Sequence, residues 1–132
     1  MAADNAQLVA DTFVQVWRDG DLSAISDDYI DHDHAPNAPP TKEGLAQLRE
    51  MTLEGFPDFA VRVERVVAEG DYVAAQVTNS GTQSGTFMGM PPTGKKATWG
   101  AMAIFRIQGG KIIERWGVID RLGLMQQLGV LG

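Results

Sequence analysis

A single carboxylate closes the last apolar strand that the sequence predicts. Residues 111–119 read Lys-Ile-Ile-Glu-Arg-Trp-Gly-Val-Ile, and Asp120 follows them directly. A carboxylic acid placed among Trp, Val and Ile side chains can lose its water, and desolvation raises the pKa of such an acid. A raised pKa suits a general acid or base that works near neutral pH. The alternative is that Asp120 caps a helix beginning at Arg121, and the sequence leaves both roles open.

A second candidate for chemistry is the segment Asp31-His32-Asp33-His34. Two histidines at i and i+2 on a strand would share a face, with carboxylates beside them. The chain has only these two histidines and no cysteine, whereas a catalytic zinc takes three protein ligands and a water. We therefore expect no metal site. The lack of cysteine also excludes disulfides and thiolate catalysis.

The elements that must position these residues follow from hydrophobic periodicity. Helical spacing predicts helices over about 5–19, 42–54 and from Arg121 onward, with a further helical turn over 21–25. Residues 29–32 are predicted to be extended, and 83–94 to form a long loop. Alternating apolar residues predict strands over 59–69, 72–82, 95–107 and 111–119. Helices followed by antiparallel hairpins indicate an α+β fold, with a curved sheet, helices on one side and one domain over 1–132.

Composition narrows the classes of function. The chain has 132 residues, 44% hydrophobic and 21% charged, with a formal net charge of -6. A nucleic-acid-binding protein would need a basic stripe, and the only adjacent basic pair is Lys95-Lys96. No apolar run approaches the ~20 residues that span a bilayer, and we see no basic leader. We expect a cytoplasmic protein that binds neither nucleic acid nor membrane.

The two faces of the last two strands differ in composition, but the pattern does not say which face lines a cavity. Alternation puts Glu114, Trp116, Val118 and Asp120 on one face of the last strand, opposite Arg115, Gly117 and Ile119. Both faces of the 95–107 strand are largely apolar, and helices can cover only one. We therefore expect a homodimer formed through the uncovered face.

Three segments together carry a resemblance to a known family. They are Asp31-His32-Asp33, the stretch 81–95 with its Phe-Met-Gly-Met-Pro-Pro-Thr-Gly core, and the stretch 104–124 that ends in Asp-Arg-Leu-Gly-Leu. The chain resembles a SnoaL-like polyketide cyclase of the nuclear transport factor 2-like superfamily. The resemblance implies a cone-shaped α+β barrel, a dimer, and an intramolecular aldol ring closure driven by an aspartate of the terminal strand without metal or cofactor. Asp120 stands at the matching position.

The resemblance also implies which polar residues form the site. His32 would orient the ligand as a polar group facing the pocket, and Asp120 would transfer the proton. The residues expected to bind the substrate are aromatic or soft apolar side chains, which could equally be ordinary core: Met51, Met88, Met90, Trp99, Phe105, Trp116 and Val118.

One departure from the family affects the expected chemistry. Arg115 stands where members often carry histidine, and arginine cannot shuttle protons near neutral pH. The expected substrate is a hydrophobic small molecule, for example a polycyclic aromatic one. The alternatives are a hydrolase or isomerase of the same fold, of the epoxide or ketosteroid type, and a non-catalytic binder of an aromatic ligand.

Overall fold

A curved five-stranded sheet with helices on one face makes up the described part of the chain, residues 2–130 of the computed structural model. A short π-helical turn, Gln15–Asp19, extends the first helix. In chain order the elements are α1 (Ala2–Val14), β1 (Ile25–Asp31), α2 (Lys42–Gly55), β2 (Ala60–Glu69), β3 (Tyr72–Thr82), β4 (Lys96–Gln108), β5 (Lys111–Ile119) and α3 (Arg121–Leu128).

The sheet is mixed, with strand order β1-β5-β4-β3-β2. β2 to β5 form an antiparallel meander, in which each strand pairs with the next strand along the chain. β1 joins the other edge and runs parallel to β5, with Asp31 opposite Arg115. The α+β class and the cone-shaped fold expected from the sequence are confirmed.

The first helix forms where its apolar period predicts, with Val9, Thr12 and Val16 buried against the sheet. Gly20 ends it at φ 71°, a left-handed conformation that glycine adopts without strain. The helical turn predicted over 21–25 is wrong, since only Ser23 and Ala24 form a turn before β1 begins. In the described part of the chain, no helix is both long enough and apolar enough to cross a membrane.

The segment after β1 is held close to α2. The Asp31 backbone N–H donates to the Pro40 carbonyl at 2.7 Å. A Cβ at Gly44 would overlap the Pro39 carbonyl, so only glycine lets the segment lie this close to the first turn of α2. This packing fixes the end of β1, and therefore Asp31, against the helix layer.

Burial decides which face of the sheet is the inner one. On β4 most odd-numbered side chains, including Trp99 and Phe105, are buried under the helices, whereas Met102 and Ile104 are exposed on the other side. We call these the inner and outer faces. One core cluster lies around Tyr29 and Phe105, and a second lies around Phe56 and Trp99 near α3.

The 83–94 loop is anchored from inside. Gln83 is fully buried, and its side-chain amide donates to the Met90 and Pro91 carbonyls and accepts a hydrogen bond from the Thr93 hydroxyl. Phe87 packs edge-on against Phe56, with ring centroids 5.1 Å apart. The loop therefore lies against the second core cluster.

Candidate active site

A cavity of about 190 Å³ lies between the inner face of the sheet and the helices. One water needs only about 10–15 Å³ of such volume, so the cavity can take an organic molecule. Its wall is mainly apolar and aromatic, as is usual for small-molecule sites. Lining side chains come from both layers, among them Phe13, Leu45, Val77, Trp99 and Phe105.

A small polar group interrupts this apolar wall at the end of β1. Tyr29, Asp31 and Arg115 all line the cavity, and Asp31 is the only carboxylate among the lining residues that the structure describes. The i, i+2 spacing of Tyr29 and Asp31 puts both on the same face of β1. The parallel register adds Arg115 from β5, so three chemically useful side chains meet at one place.

The Asp31–Arg115 ion pair is the best-defined contact of the site. Nη1 of Arg115 donates to both Asp31 carboxylate oxygens at 3.1 Å. The two side chains are only 12% and 22% exposed. Gly117 gives the guanidinium room, because a Cβ there would overlap it. Burying a charge is costly unless it is paired, and the pairing lets this carboxylate stand in an apolar wall.

Tyr29 is the second polar group of the cavity. Its side chain is buried, and burial raises the pKa of its hydroxyl well above the usual value. The nearby Asp31 charge acts in the same direction, and Arg115 opposes it more weakly. The hydroxyl therefore stays protonated, and able to donate a hydrogen bond, throughout the neutral range.

The structure brings only some of the residues expected to bind substrate to the cavity. Trp99, Phe105 and Met88 line the cavity, whereas Met51 and Met90 are not among its lining residues. Trp116 and Val118 lie on the outer face, because alternation along β5 points Arg115, Gly117 and Ile119 inward.

His32 also lies on the outer face, one residue beyond β1. Its ring stacks on Trp116, with centroids 4.8 Å apart and planes 8° from parallel. Its Nε2 is 2.8 Å from one carboxylate oxygen of Glu114. Nε of Arg106 donates to the other carboxylate oxygen. These hydrogen bonds, first that of His32 and then that of Arg106, hold the pKa of Glu114 below its usual value.

Asp120 is placed as a helix cap. Its Oδ1 accepts the Gly123 backbone N–H at 2.9 Å at the start of α3. Its side chain is exposed and is not among the cavity's lining residues, although its neighbours Ile119 and Arg121 are. The catalytic role expected from the resemblance stays a prediction.

No group of three or more His, Asp or Glu side chains is placed to hold a metal within residues 2–130. The ion pair that sequence reasoning missed, Asp31 with Arg115, has its members 84 positions apart. The local sequence carries no signal for it, since the pairing depends on β1 docking beside β5.

Comparisons with known proteins identify the family and support the fold. The family model for SnoaL-like polyketide cyclases matches residues 7–128. The chain belongs to the SnoaL-like polyketide cyclase family. A search of curated proteins found no match.

Several solved structures share the fold over most of their length. AclR from Streptomyces galilaeus, a proposed hydroxylase, is 29% identical with a TM-score of 0.86, covering 100% of this chain and 89% of its own. TsrD from Streptomyces laurentii is 29% identical with a TM-score of 0.87, covering 98% and 97%. IdmH from Streptomyces antibioticus, a proposed polyketide cyclase, is 28% identical with a TM-score of 0.77, covering 96% and 97%. Family and fold together support a small-molecule enzyme.

The cap at Asp120 leads to a first prediction. Replacing Asp120 with Ala should cost about 1 kcal/mol of stability through the lost cap, whereas Asp120→Asn should cost little because asparagine also caps helices. Urea unfolding of the three proteins measures this difference. Equal stability of the Ala variant and the wild type would contradict the cap, and lost turnover in a folded Asn variant would give the carboxylate the expected catalytic role.

The buried Tyr29 leads to a second prediction, on alkaline stability. Because the pKa of its hydroxyl is higher in the folded than in the unfolded protein, the unfolded chain releases this proton first as pH rises. The stabilising contribution is complete below the ordinary value of 10.0 and is lost above it, by up to about 1.4 kcal/mol per pH unit. Unfolding free energies at neutral pH and near pH ~11 should therefore differ less in Tyr29→Phe than in the wild type.

The matched control is Tyr72→Phe, since Tyr72 is half exposed on the outer face. This variant should retain the wild-type pH dependence. The same alkaline loss in Tyr29→Phe as in the wild type would show that the buried hydroxyl does not contribute.

Proposed function

We propose that the protein binds a hydrophobic, carbonyl-bearing small molecule in the cavity and catalyses a cofactor-independent proton-transfer reaction on it, foremost an intramolecular aldol ring closure. The observation that carries this proposal is a mainly apolar cavity with one ion-paired carboxylate in its wall. Membership of the family supports the reaction class.

The cavity suits this chemistry for physical reasons. An apolar wall excludes water, so an enolate formed inside is less exposed to unwanted protonation. Aromatic side chains such as Trp99 and Phe105 offer flat surfaces to ring systems. Ring closure within one molecule requires a folded substrate conformation and the movement of a proton, which a fixed cavity and a positioned carboxylate can supply.

The alternative from another class is a non-catalytic binder. The observation that favours it is the engagement of Asp120 as a helix cap, which leaves the expected acid/base outside the cavity lining. The two proposals differ in one measurement. An enzyme converts an aromatic β-keto ester with a neighbouring aldehyde into a ring-closed isomer, seen as a new chromatographic peak of unchanged mass, whereas a binder only retains it.

Filling the cavity tests where the ligand binds. Ala101 lines the cavity and Met102, the next residue, points outward. Ala101→Phe should lower the affinity for 2-tetralone, a bicyclic ketone, by about tenfold or more, equivalent to about 1.4 kcal/mol. Quenching of tryptophan fluorescence measures the binding, because Trp17 and Trp99 line the cavity.

The control for this variant is Met102→Phe, which adds an aromatic ring on the other face of the same strand. It should bind 2-tetralone like the wild type. Unchanged affinity in a folded Ala101→Phe protein would place the ligand elsewhere and would contradict the proposed site.

We further propose that the protein forms a homodimer through the outer face. Apolar side chains that are 47–71% exposed lie there, and an exposed patch of this kind marks an interface. These side chains are Val67, Met102, Ile104 and Val118. They stand in register across the sheet: Val67 and Ile104 share one row with Ala74 and the partly buried Trp116, and Met102 and Val118 form the next.

Light scattering at micromolar concentration tests this association. We expect about twice the chain mass of 14.3 kDa for the wild type, since two-fold pairing is the commonest way to bury such a face. Ile104→Lys should yield monomers, because a lysine would be desolvated in the contact. Val14→Lys, an equally apolar-to-charged change on α1, is the control and should leave the dimer intact. A wild-type mass near that of one chain would contradict the proposal.

A further inference from the structure

We propose that Tyr29, Asp31 and Arg115 form the proton-transfer centre of the cavity, in which Asp31 carries the proton, Tyr29 binds the ligand oxygen and Arg115 positions Asp31. This inference rests on the proposed function above and names residues for it. It differs from the expectation based on the family resemblance, which placed the acid/base at Asp120.

The Asp31 carboxylate has room for one more partner. Its Oδ1 accepts the Asp33 backbone N–H at 2.9 Å and one hydrogen bond from Arg115. Its Oδ2 accepts only from Arg115 at 3.1 Å among the described residues. Each carboxylate oxygen can accept two hydrogen bonds, so Oδ2 retains a lone pair for a ligand proton in a wall that is mainly apolar.

The Tyr29 hydroxyl is the matching donor. Within residues 2–130 it has no protein hydrogen-bond partner, although the side chain is 2% exposed and lines the cavity. In the part of the chain that the structure describes, the buried side-chain polar atom without a partner is Nε of Arg49, so the Tyr29 hydroxyl keeps some accessible surface, on the cavity side, where a partner can reach it. A ligand carbonyl in the cavity supplies that partner, and the raised pKa of the Tyr29 hydroxyl keeps its proton in place for donation.

Arg115 acts through Asp31. Its Nη1 bonds both carboxylate oxygens, and the two backbones are directly opposite in the sheet. The pairing fixes the orientation of the carboxylate and offsets its charge. Arginine itself does not give up a proton near neutral pH, so it is a positioning residue here.

The proposed step balances without any further reactant. Asp31 Oδ2 takes a proton from the carbon next to the ligand carbonyl, and the C–H electron pair becomes the enolate, whose oxygen accepts the Tyr29 hydrogen bond. The enolate carbon then forms a C–C bond with a second carbonyl of the same molecule. The new alkoxide takes the proton back from Asp31, so the carboxylate is regenerated.

Hydrogen–deuterium exchange of 2-tetralone tests the first half of this step without needing the natural substrate. The full chain is incubated with 2-tetralone in D₂O near neutral pH, and loss of the C1 proton signal is followed by NMR. Asp31→Asn should lower the protein-dependent exchange rate by about 10²–10⁴-fold, the usual effect of losing a positioned base. Tyr29→Phe should lower it by about 10²-fold, as for one lost oxyanion donor.

Two controls separate catalysis from folding. Asp28→Asn makes the same change on an exposed position of β1, and Tyr72→Phe removes an exposed hydroxyl; both should exchange like the wild type. Asp31→Asn could fail to fold because Arg115 loses its partner. In that case the double variant Asp31→Asn/Arg115→Gln removes both charges, and it should fold but not catalyse the exchange of 2-tetralone protons. Arg115→Lys should keep more of the exchange rate than Arg115→Gln, which a purely structural role would not produce.

The outcomes are distinct. Exchange that is lost in the Asp31 and Tyr29 variants and kept in the controls supports the centre. Wild-type exchange retained in a folded Asp31→Asn protein overturns it. If the wild-type protein binds 2-tetralone but does not catalyse exchange of its C1 protons, the centre is overturned and the cavity remains a ligand site. If the wild-type protein does not bind 2-tetralone at all, the proposed function is contradicted as well.

Discussion

The parallel pairing of β1 with β5 is the contact on which the rest of the cavity depends. β1 lies at the edge of the sheet, where β5 is its one neighbouring strand. Its residues Ile25 and Tyr29 close the first core cluster, and Asp31 faces Arg115 at its end. Removing either member of this pair would leave the other partly buried charge without its partner, a change that typically costs about 3–5 kcal/mol. The same ion pair therefore supplies the polar group of the cavity and stabilises the edge of the sheet.

Strand alternation gives the sheet two different surfaces. Inward side chains of β4 and β5, such as Trp99, Phe105 and Arg115, face the helices and the cavity. Outward ones, such as Ile104 and Trp116, face away from the helices and remain partly exposed. Because a single residue step changes the face, one stretch of sequence can encode a ligand site and an association surface.

Much of this architecture could be predicted from local signals, and the part that could not depends on distant contacts. The apolar period of α1, the alternation of β2 to β5 and the short break between β2 and β3 all act within a few residues, and the sequence predicts all of them. The helical turn expected over 21–25 was wrong, because Ile25 enters a strand stabilised by residues nearly ninety positions away. The choice of inner face was likewise left open, since alternation defines two faces and only helix docking selects one.

Asp120 shows why an acid in an apolar sequence is ambiguous evidence for catalysis. The first backbone N–H groups of a helix have no acceptor within the helix, so a chain that turns from a strand into a helix favours Asp at this position for structural reasons alone. The Gly123 N–H uses one carboxylate oxygen of Asp120 in that way. Asp31 lies in a more polar stretch, beside His32 and Asp33, yet its side chain lines the cavity and its partner is an arginine. Neighbouring residue types therefore do not decide the role of an acid; the direction of the side chain and its hydrogen-bond partner distinguish a cap from a candidate base.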